Sequence, residues 1–194
     1  MRATFFGCML LLAALPGCAG DGLAGRALEA TGMRKAAQAE ALKGPRSIPL
    51  RLHAAPKLNA DAKGRALALV ARVYTLRQNA AFEAAPYATF LTPGLDREAF
   101  GADLLEVKDV TLVPGQRYEV VEKVPREAAY VGIVALYHSP APQRWRMSFA
   151  AADAESAGVT LALQACALSA GAGARPSTPA SASGTTATGS VRCQ

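Results

Sequence analysis

From Pro45 to Leu168 the apolar positions recur mostly with a period of two, the spacing of half-buried strands. Ile48, Leu50 and Leu52 alternate with Pro49, Arg51 and His53 and predict a first strand. Pro49 has no N–H to donate, which assigns that strand to a sheet edge. Ala66 to Leu76 predicts a long second strand. Its two faces carry Val70, Arg72, Tyr74 and Leu76 on one side and Leu69, Ala71, Val73 and Thr75 on the other. Leu105 to Val113 and Gln116 to Val124 predict a hairpin. Pro114-Gly115 suits the centre of its type II turn, because Pro presets φ and Gly accepts a positive one. Tyr130 to Tyr137 is apolar on both faces and predicts a central, doubly covered strand. Trp145, Met147 and Phe149 alternate with Arg144, Arg146 and Ser148, and Val159 to Leu168 closes the series.

Two interruptions change the period. Ala54 to Arg65 holds Pro56, Asn59, Asp61 and Gly64 and predicts a loop. Phe82, Pro86 and Phe90 have helical spacing, with Pro86 suited to open a turn, and Asp96 to Phe100 predicts a second short helical piece. About seven strands with two helical inserts predict a mainly β fold, a β-sandwich.

The flanks follow other rules. Ala3 to Leu15 is an uncharged, mostly apolar run behind Arg2, too short to span a bilayer and suited to a signal peptide. Leu15-Pro16-Gly17-Cys18 resembles the bacterial lipobox, which predicts cleavage before Cys18 and lipid on its thiol. The alternative is an ordinary signal peptide cut at Gly17-Cys18-Ala19. Two or more acyl chains hold a protein stably on a membrane. Residues 18–46 read as an Ala-rich tether with some helix, clearest from Ala36 to Lys43. Residues 47–168 form the sandwich domain, and residues 169–194, rich in Ala, Gly, Ser, Thr and Pro, read as a disordered tail.

Charge sharpens this division. The net charge is +6, and it is concentrated: Arg26 to Arg65 holds nine Lys/Arg against three acids, whereas Ala66 to Leu168 holds nine against eleven. The basic stretch reads either as a lipid-facing segment or as a solvated linker. Nucleic acid is a poor partner for an exported chain. Cys8 leaves with the signal and Cys18 takes lipid, so Cys166 and Cys193 remain. They can pair if their Cα atoms lie within about 7 Å; otherwise Cys166 packs as a small apolar residue.

Candidate chemistry is sparse. His53 and His138 have no metal-ligand spacing, and no Gly-x-Ser-x-Gly elbow or phosphate-cradling glycine loop occurs. The carboxylates Asp96, Glu98, Asp103, Glu106 and Asp109 read as solvated loop and helix ends, and Tyr137 and Trp145 as core. These absences predict a protein that is not an enzyme and holds no cofactor or metal. The segment Ala55, Pro56, Lys57, Leu58, Asn59, Ala60, Asp61, Ala62, Lys63, Gly64 and Arg65 is the candidate binding loop. It carries charge between two well-patterned strands, where binding residues concentrate.

Several pieces, in order behind the lipobox, resemble the TssJ family of type VI secretion lipoproteins, also called SciN or VasD. They are Leu58-Asn59 before Gly64, Val70 to Leu76, Phe82, Phe90-Leu91, Gly101 to Leu104, Pro114-Gly115, Tyr130 to Tyr137 and Trp145-Arg146. The resemblance implies a transthyretin-like two-sheet sandwich with a short helical insertion. It implies an outer-membrane anchor with the domain in the periplasm; Ala19, rather than Asp, after the cysteine agrees with that sorting. It implies docking to the periplasmic C-terminal region of TssM, in a complex with TssL, through the Ala55–Arg65 loop. A lipoprotein that binds a small ligand between its sheets, or joins another envelope assembly, is the alternative.

Overall fold

Alternation builds the first strand, β1 (Arg46–Ala54), with Ile48, Leu50, Leu52 and Ala54 buried and the residues between them half-exposed. The structure, a computed structural model, describes residues 43–177 and Cys193. The signal segment, Cys18, most of the 18–46 tether and residues 178–192 and 194 lie outside the described residues. Seven further strands follow: β2 (Leu69–Leu76), β3 (Leu104–Leu112), β4 (Arg117–Val124), β5 (Tyr130–Ala135), β6 (Arg146–Ala150), β7 (Val159–Leu163) and β8 (Leu168–Ala170). They form two four-stranded sheets, ordered β4-β1-β7-β8 and β3-β2-β5-β6. The fold is the expected mainly β two-sheet sandwich, with short helices inserted. The inward residues of both sheets make one apolar core, including Leu50, Leu52, Leu69, Val73, Ile133, Phe149 and Leu161.

Three strand assignments need correction. β1 is not an edge strand, because it lies between β4 and β7. It pairs antiparallel with β4 and parallel with β7, and the β7 ladder begins only at Leu50↔Val159. The alternation turns the Pro49 nitrogen toward β7, one residue before that ladder starts, so its missing N–H costs nothing. β3 and β4 are not a hairpin: β3 pairs with β2 and β4 with β1. The Pro114-Gly115 turn, with Gly115 at φ 79°, carries the chain from one sheet to the other. The last strand is two, β7 and β8, paired antiparallel across residues 164–167.

The outer face of the β3-β2-β5-β6 sheet is covered by three short helices, α1 (Ala80–Ala84), α2 (Tyr87–Leu91) and α3 (Leu95–Phe100). Pro86 sits at the residue before α2, where a fixed φ and no N–H fit. Tyr74 projects from β2 into the insertion and meets the rings of Phe82, Phe90 and Phe100 at centroid distances of 5.5, 5.7 and 6.0 Å. Each such pair adds about 0.5–1.5 kcal/mol beyond burial. Gly132 permits the approach, since a Cβ there would meet Phe82 Cζ at 2.7 Å. The Tyr74 hydroxyl donates to Asp96 at 2.8 Å, and burial first, then that carboxylate, pushes its pKa up.

Arg146 departs from its alternation. It alternates with the apolar Trp145 and Met147, yet it is buried as they are, at 6% exposure. Its guanidinium donates to the carbonyl of Phe82 at 3.0 Å and to those of Glu83 and Ala85. Carbonyls at a helix end lack partners within the helix, so one cation satisfies the end of α1. The guanidinium also lies 4.6 Å from the Trp145 ring centroid. Burial lowers its pKa.

The expected disordered tail starts too early. Leu168–Ala170 is β8, Ala174 is buried, and Ala174 N–H donates to Gly158 O at 2.8 Å. Ser177 N–H then donates to Ser148 O at 2.7 Å, and Pro176 bridges Phe149, so Pro176 and Ser177 line the β6 edge. Gly173 allows the approach to Gly158, since a Cβ there would meet Gly158 O at 2.5 Å, although the segment's composition reads as low-complexity. A fourth helix, α4 (Ala151–Ala157), carries the chain from β6 in one sheet to β7 in the other.

Candidate docking site

The connections segregate by end. β1–β2, β3–β4, β5–β6 and β7–β8 turn at one end of the sandwich, called here the loop end. The helical insertion, residues 125–129 and α4 connect strands at the other, the helix end. The candidate loop Ala55–Arg65 lies at the loop end. Backbone bonds weld it to its neighbours. Gly115 N–H donates to Ala55 O at 3.2 Å, Asn59 N–H to Gln164 O at 3.2 Å and Ala60 N–H to Ala165 O at 2.9 Å.

The loop has an anchored half and a displayed half. In the first, Leu58 is wholly buried in the main core and Asn59 is 6% exposed. The Asn59 amide donates to Ala68 O at 2.8 Å and its carbonyl oxygen accepts from His138 N–H at 2.7 Å. Asn59 also holds φ 47°, a left-handed conformation that Asn tolerates through its short polar side chain. In the second half, Asp61 Oδ1 accepts from the N–H groups of Lys63 and Arg65, both at 2.9 Å, and Oδ2 accepts from Arg65 Nε at 2.8 Å. These bonds, the Arg65 backbone N–H first, hold the Asp61 carboxyl below its usual range. Gly64 turns the tip at φ 75°. The result is a preformed tip in which Ala62, Lys63, Gly64 and Arg65 are exposed, with Pro56 and Lys57 exposed beside the anchor.

Among the described residues of the basic stretch, the cations do not share one end of the sandwich. Arg46 opens β1, whereas Lys57, Lys63 and Arg65 lie beyond its far end. Nine strand residues separate them by roughly 27 Å. The Cys166–Cys193 pair, left open above, is a disulfide with Cα atoms 5.6 Å apart. Cys166 sits in the β7–β8 connection and its carbonyl accepts from Ala141 N–H at 2.8 Å, so the bond brings Cys193 to the loop end.

The remaining candidates disperse. His53 is half-exposed on β1, 3.8 Å from Glu119, and His138 is exposed in the β5–β6 loop. Tyr137 and Trp145 are core. Tyr137 donates to Ala167 O at 2.8 Å, and Tyr87, pushed by burial up to about 12, donates to Tyr137 O at 2.7 Å. Among the clustered acids, Asp96 was expected in solvent and is instead 3% exposed beneath Tyr74, because the insertion folds over it. A hollow of about 310 Å³ beside it is lined by Arg72, Gly94, Arg97 and Asp109. Arg72 there already donates to Asp109 and to Phe90 O, both at 3.0 Å. No group of three His, Cys, Asp or Glu among the described residues could hold a metal. No helix among them is long and apolar enough to cross a membrane.

The family described as "Type VI secretion lipoprotein, VasD, EvfM, TssJ, VC_A0113" matches residues 46–166. The fold is similar to the T6SS lipoprotein TssJ1 from Pseudomonas aeruginosa, at 29% identity and a TM-score of 0.59, covering 69% of this chain and 98% of that one. It is similar to a chain of a structure described as a type VI membrane complex, at 25% identity and 0.59, covering 65% and 98%. It is also similar to a chain of the structure described as the T6SS protein TssM C-terminal domain from EAEC, at 27% identity and 0.57, covering 63% and 98%. No curated protein matches the chain.

Proposed function

The chain belongs to the type VI secretion lipoprotein family, and from that premise we propose that it anchors the trans-envelope secretion complex at the outer membrane. The family consists of structural components of a secretion machine associated with the envelope, not of enzymes. In this reading Cys18 carries lipid in the outer membrane and the sandwich faces the periplasm. The Ala55–Arg65 loop docks the periplasmic C-terminal region of TssM, which brings TssL into the same assembly.

The observation that carries the reading is the construction of the loop. Leu58 and Asn59 are held in the body of the domain while Asp61 shapes an exposed tip from within. A loop ordered before it meets a partner loses little entropy on binding. The inward residues of the two sheets form one continuous cluster of buried apolar side chains, which suits a rigid tether that transmits load.

Replacing Asp61–Arg65 by a Gly/Ser linker of equal length tests this. Leu58 and Asn59 stay in place, so circular dichroism and the melting temperature are expected to hold. Co-purification of the TssM periplasmic region is expected to fall by at least about tenfold, the loss of roughly 1.4 kcal/mol. Undiminished co-purification from a folded variant would remove the loop assignment.

A further inference from the structure

The four connections at the loop end, residues 55–68, 113–116, 136–145 and 164–167, together with Arg117 at the start of β4, carry Lys57, Lys63, Arg65, Arg117 and Arg144 against one carboxylate, Asp61. That carboxylate is engaged inside its own loop by Lys63 and Arg65. Lys57, Lys63, Arg65 and Arg117 are exposed and Arg144 is half-exposed. Lys57, Lys63, Arg117 and Arg144 have no carboxylate partner among the described residues. The helix end contrasts in both number and pairing. Residues 43–46, 77–103, 125–129 and 151–158 carry five cations and seven acids. There Arg46 and Arg126 share Glu155, and Arg77 meets Glu127 at 2.7 Å.

We infer that the loop end is a basic docking platform, wider than the Ala55–Arg65 loop, and that its occupant is an acidic face of a protein partner. This rests on the docking reading above and adds the chemistry of the partner surface. Cations without acids nearby leave a positive potential that a complementary surface meets. Such complementarity raises association rates and excludes partners of like charge. Arg117, at the start of β4, and Arg144, in the β5–β6 connection, lie outside the Ala55–Arg65 loop. The backbone bonds Gly115→Ala55 and Ala141→Cys166, with His138→Asn59, fix those connections to the loop. The platform is therefore one preformed surface.

The test uses the full chain with Cys18→Ser, so that lipid does not contribute, and the TssM C-terminal domain as probe. One variant carries Lys63→Glu, Arg117→Glu and Arg144→Glu. A control carries Lys43→Glu, Arg97→Glu and Arg175→Glu, with the same change in net charge away from the loop end. At low ionic strength the first variant is expected to bind about 100-fold more weakly and the control within about threefold of the parent. Raising the salt is expected to weaken the parent and to leave the first variant nearly unaffected. Equal losses in both variants, or parent binding indifferent to salt, would overturn the platform while leaving docking intact. A parent that binds the domain at no salt concentration would overturn docking and platform together. Capture by phosphatidylglycerol vesicles through the same three cations, with TssM binding unchanged, would overturn the protein partner in favour of lipid.

Discussion

The two ends of the sandwich handle charge in opposite ways. At the helix end Glu155 accepts from Arg46 at 2.8 Å and from Arg126 at 2.9 and 3.0 Å, joining the start of β1, the β4–β5 connection and α4. At the loop end, among the described residues, Asp61 binds only within its own loop, and four cations around it have no carboxylate. Both carboxyls sit below their usual range, but for different reasons. Burial raises that of Glu155, and the two arginines more than offset it. Asp61 is lowered chiefly by a backbone N–H. One end uses charge to close the fold, and the other uses it to shape a surface. The difference implies that substitutions at the helix end act on stability, and that those on the displayed loop-end residues act on binding.

Leu58→Ala breaks that division most strongly. Leu58 belongs to the loop end by position and to the core by burial. Truncating a fully buried leucine costs about 2–5 kcal/mol. A lower urea midpoint at unchanged slope is the expected outcome. A loss below about 1 kcal/mol would mean that the loop rests on the core without being part of it.

Cys193→Ser comes next. The bond to Cys166 spans a sequence separation of 27 residues. Closing a loop of that size stabilises by about 3.5 kcal/mol through the unfolded state. Melting under non-reducing conditions is expected to fall accordingly, and added reductant is expected to lower the parent but not the variant. A variant that melts with the parent would show that the closure contributes nothing.

Much of the sandwich was legible because period-two alternation reports burial directly, as at Ile48, Leu50 and Leu52. What misled was chemistry whose meaning depends on a neighbour. Pro49 marks an edge only if its nitrogen faces a paired strand, and here the β7 ladder starts one residue later. Pro114-Gly115 turns the chain equally well within a sheet or between two. Arg146 reads as polar surface because alternation cannot foresee three helix carbonyls above it. The Ala55–Arg65 loop stood out from sequence, since its charges are contiguous. The wider platform did not, because Arg117 and Arg144 join it only through the fold. Lys57, Lys63 and Arg65 read as one basic stretch with the cations of residues 26–46 because chain position hides the length of β1.

Glu155→Gln is the smallest and most specific of these changes. The folded pKa of Glu155 lies below the unfolded value of about 4.3, so the carboxylate stabilises the fold fully above that pH. The contribution fades as pH falls through the folded pKa, where the folded state also takes up the proton. Glutamine keeps the size but not the charge, and leaves Arg46 and Arg126 facing each other. Partial solvation limits the cost to about 1 kcal/mol at neutral pH. Parent and variant stabilities should therefore differ at pH 7 and converge as the acid limb is descended. TssM binding should be the same for both, since Glu155 lies at the end away from the platform. A variant that loses binding at unchanged stability would erase the distinction between the two ends.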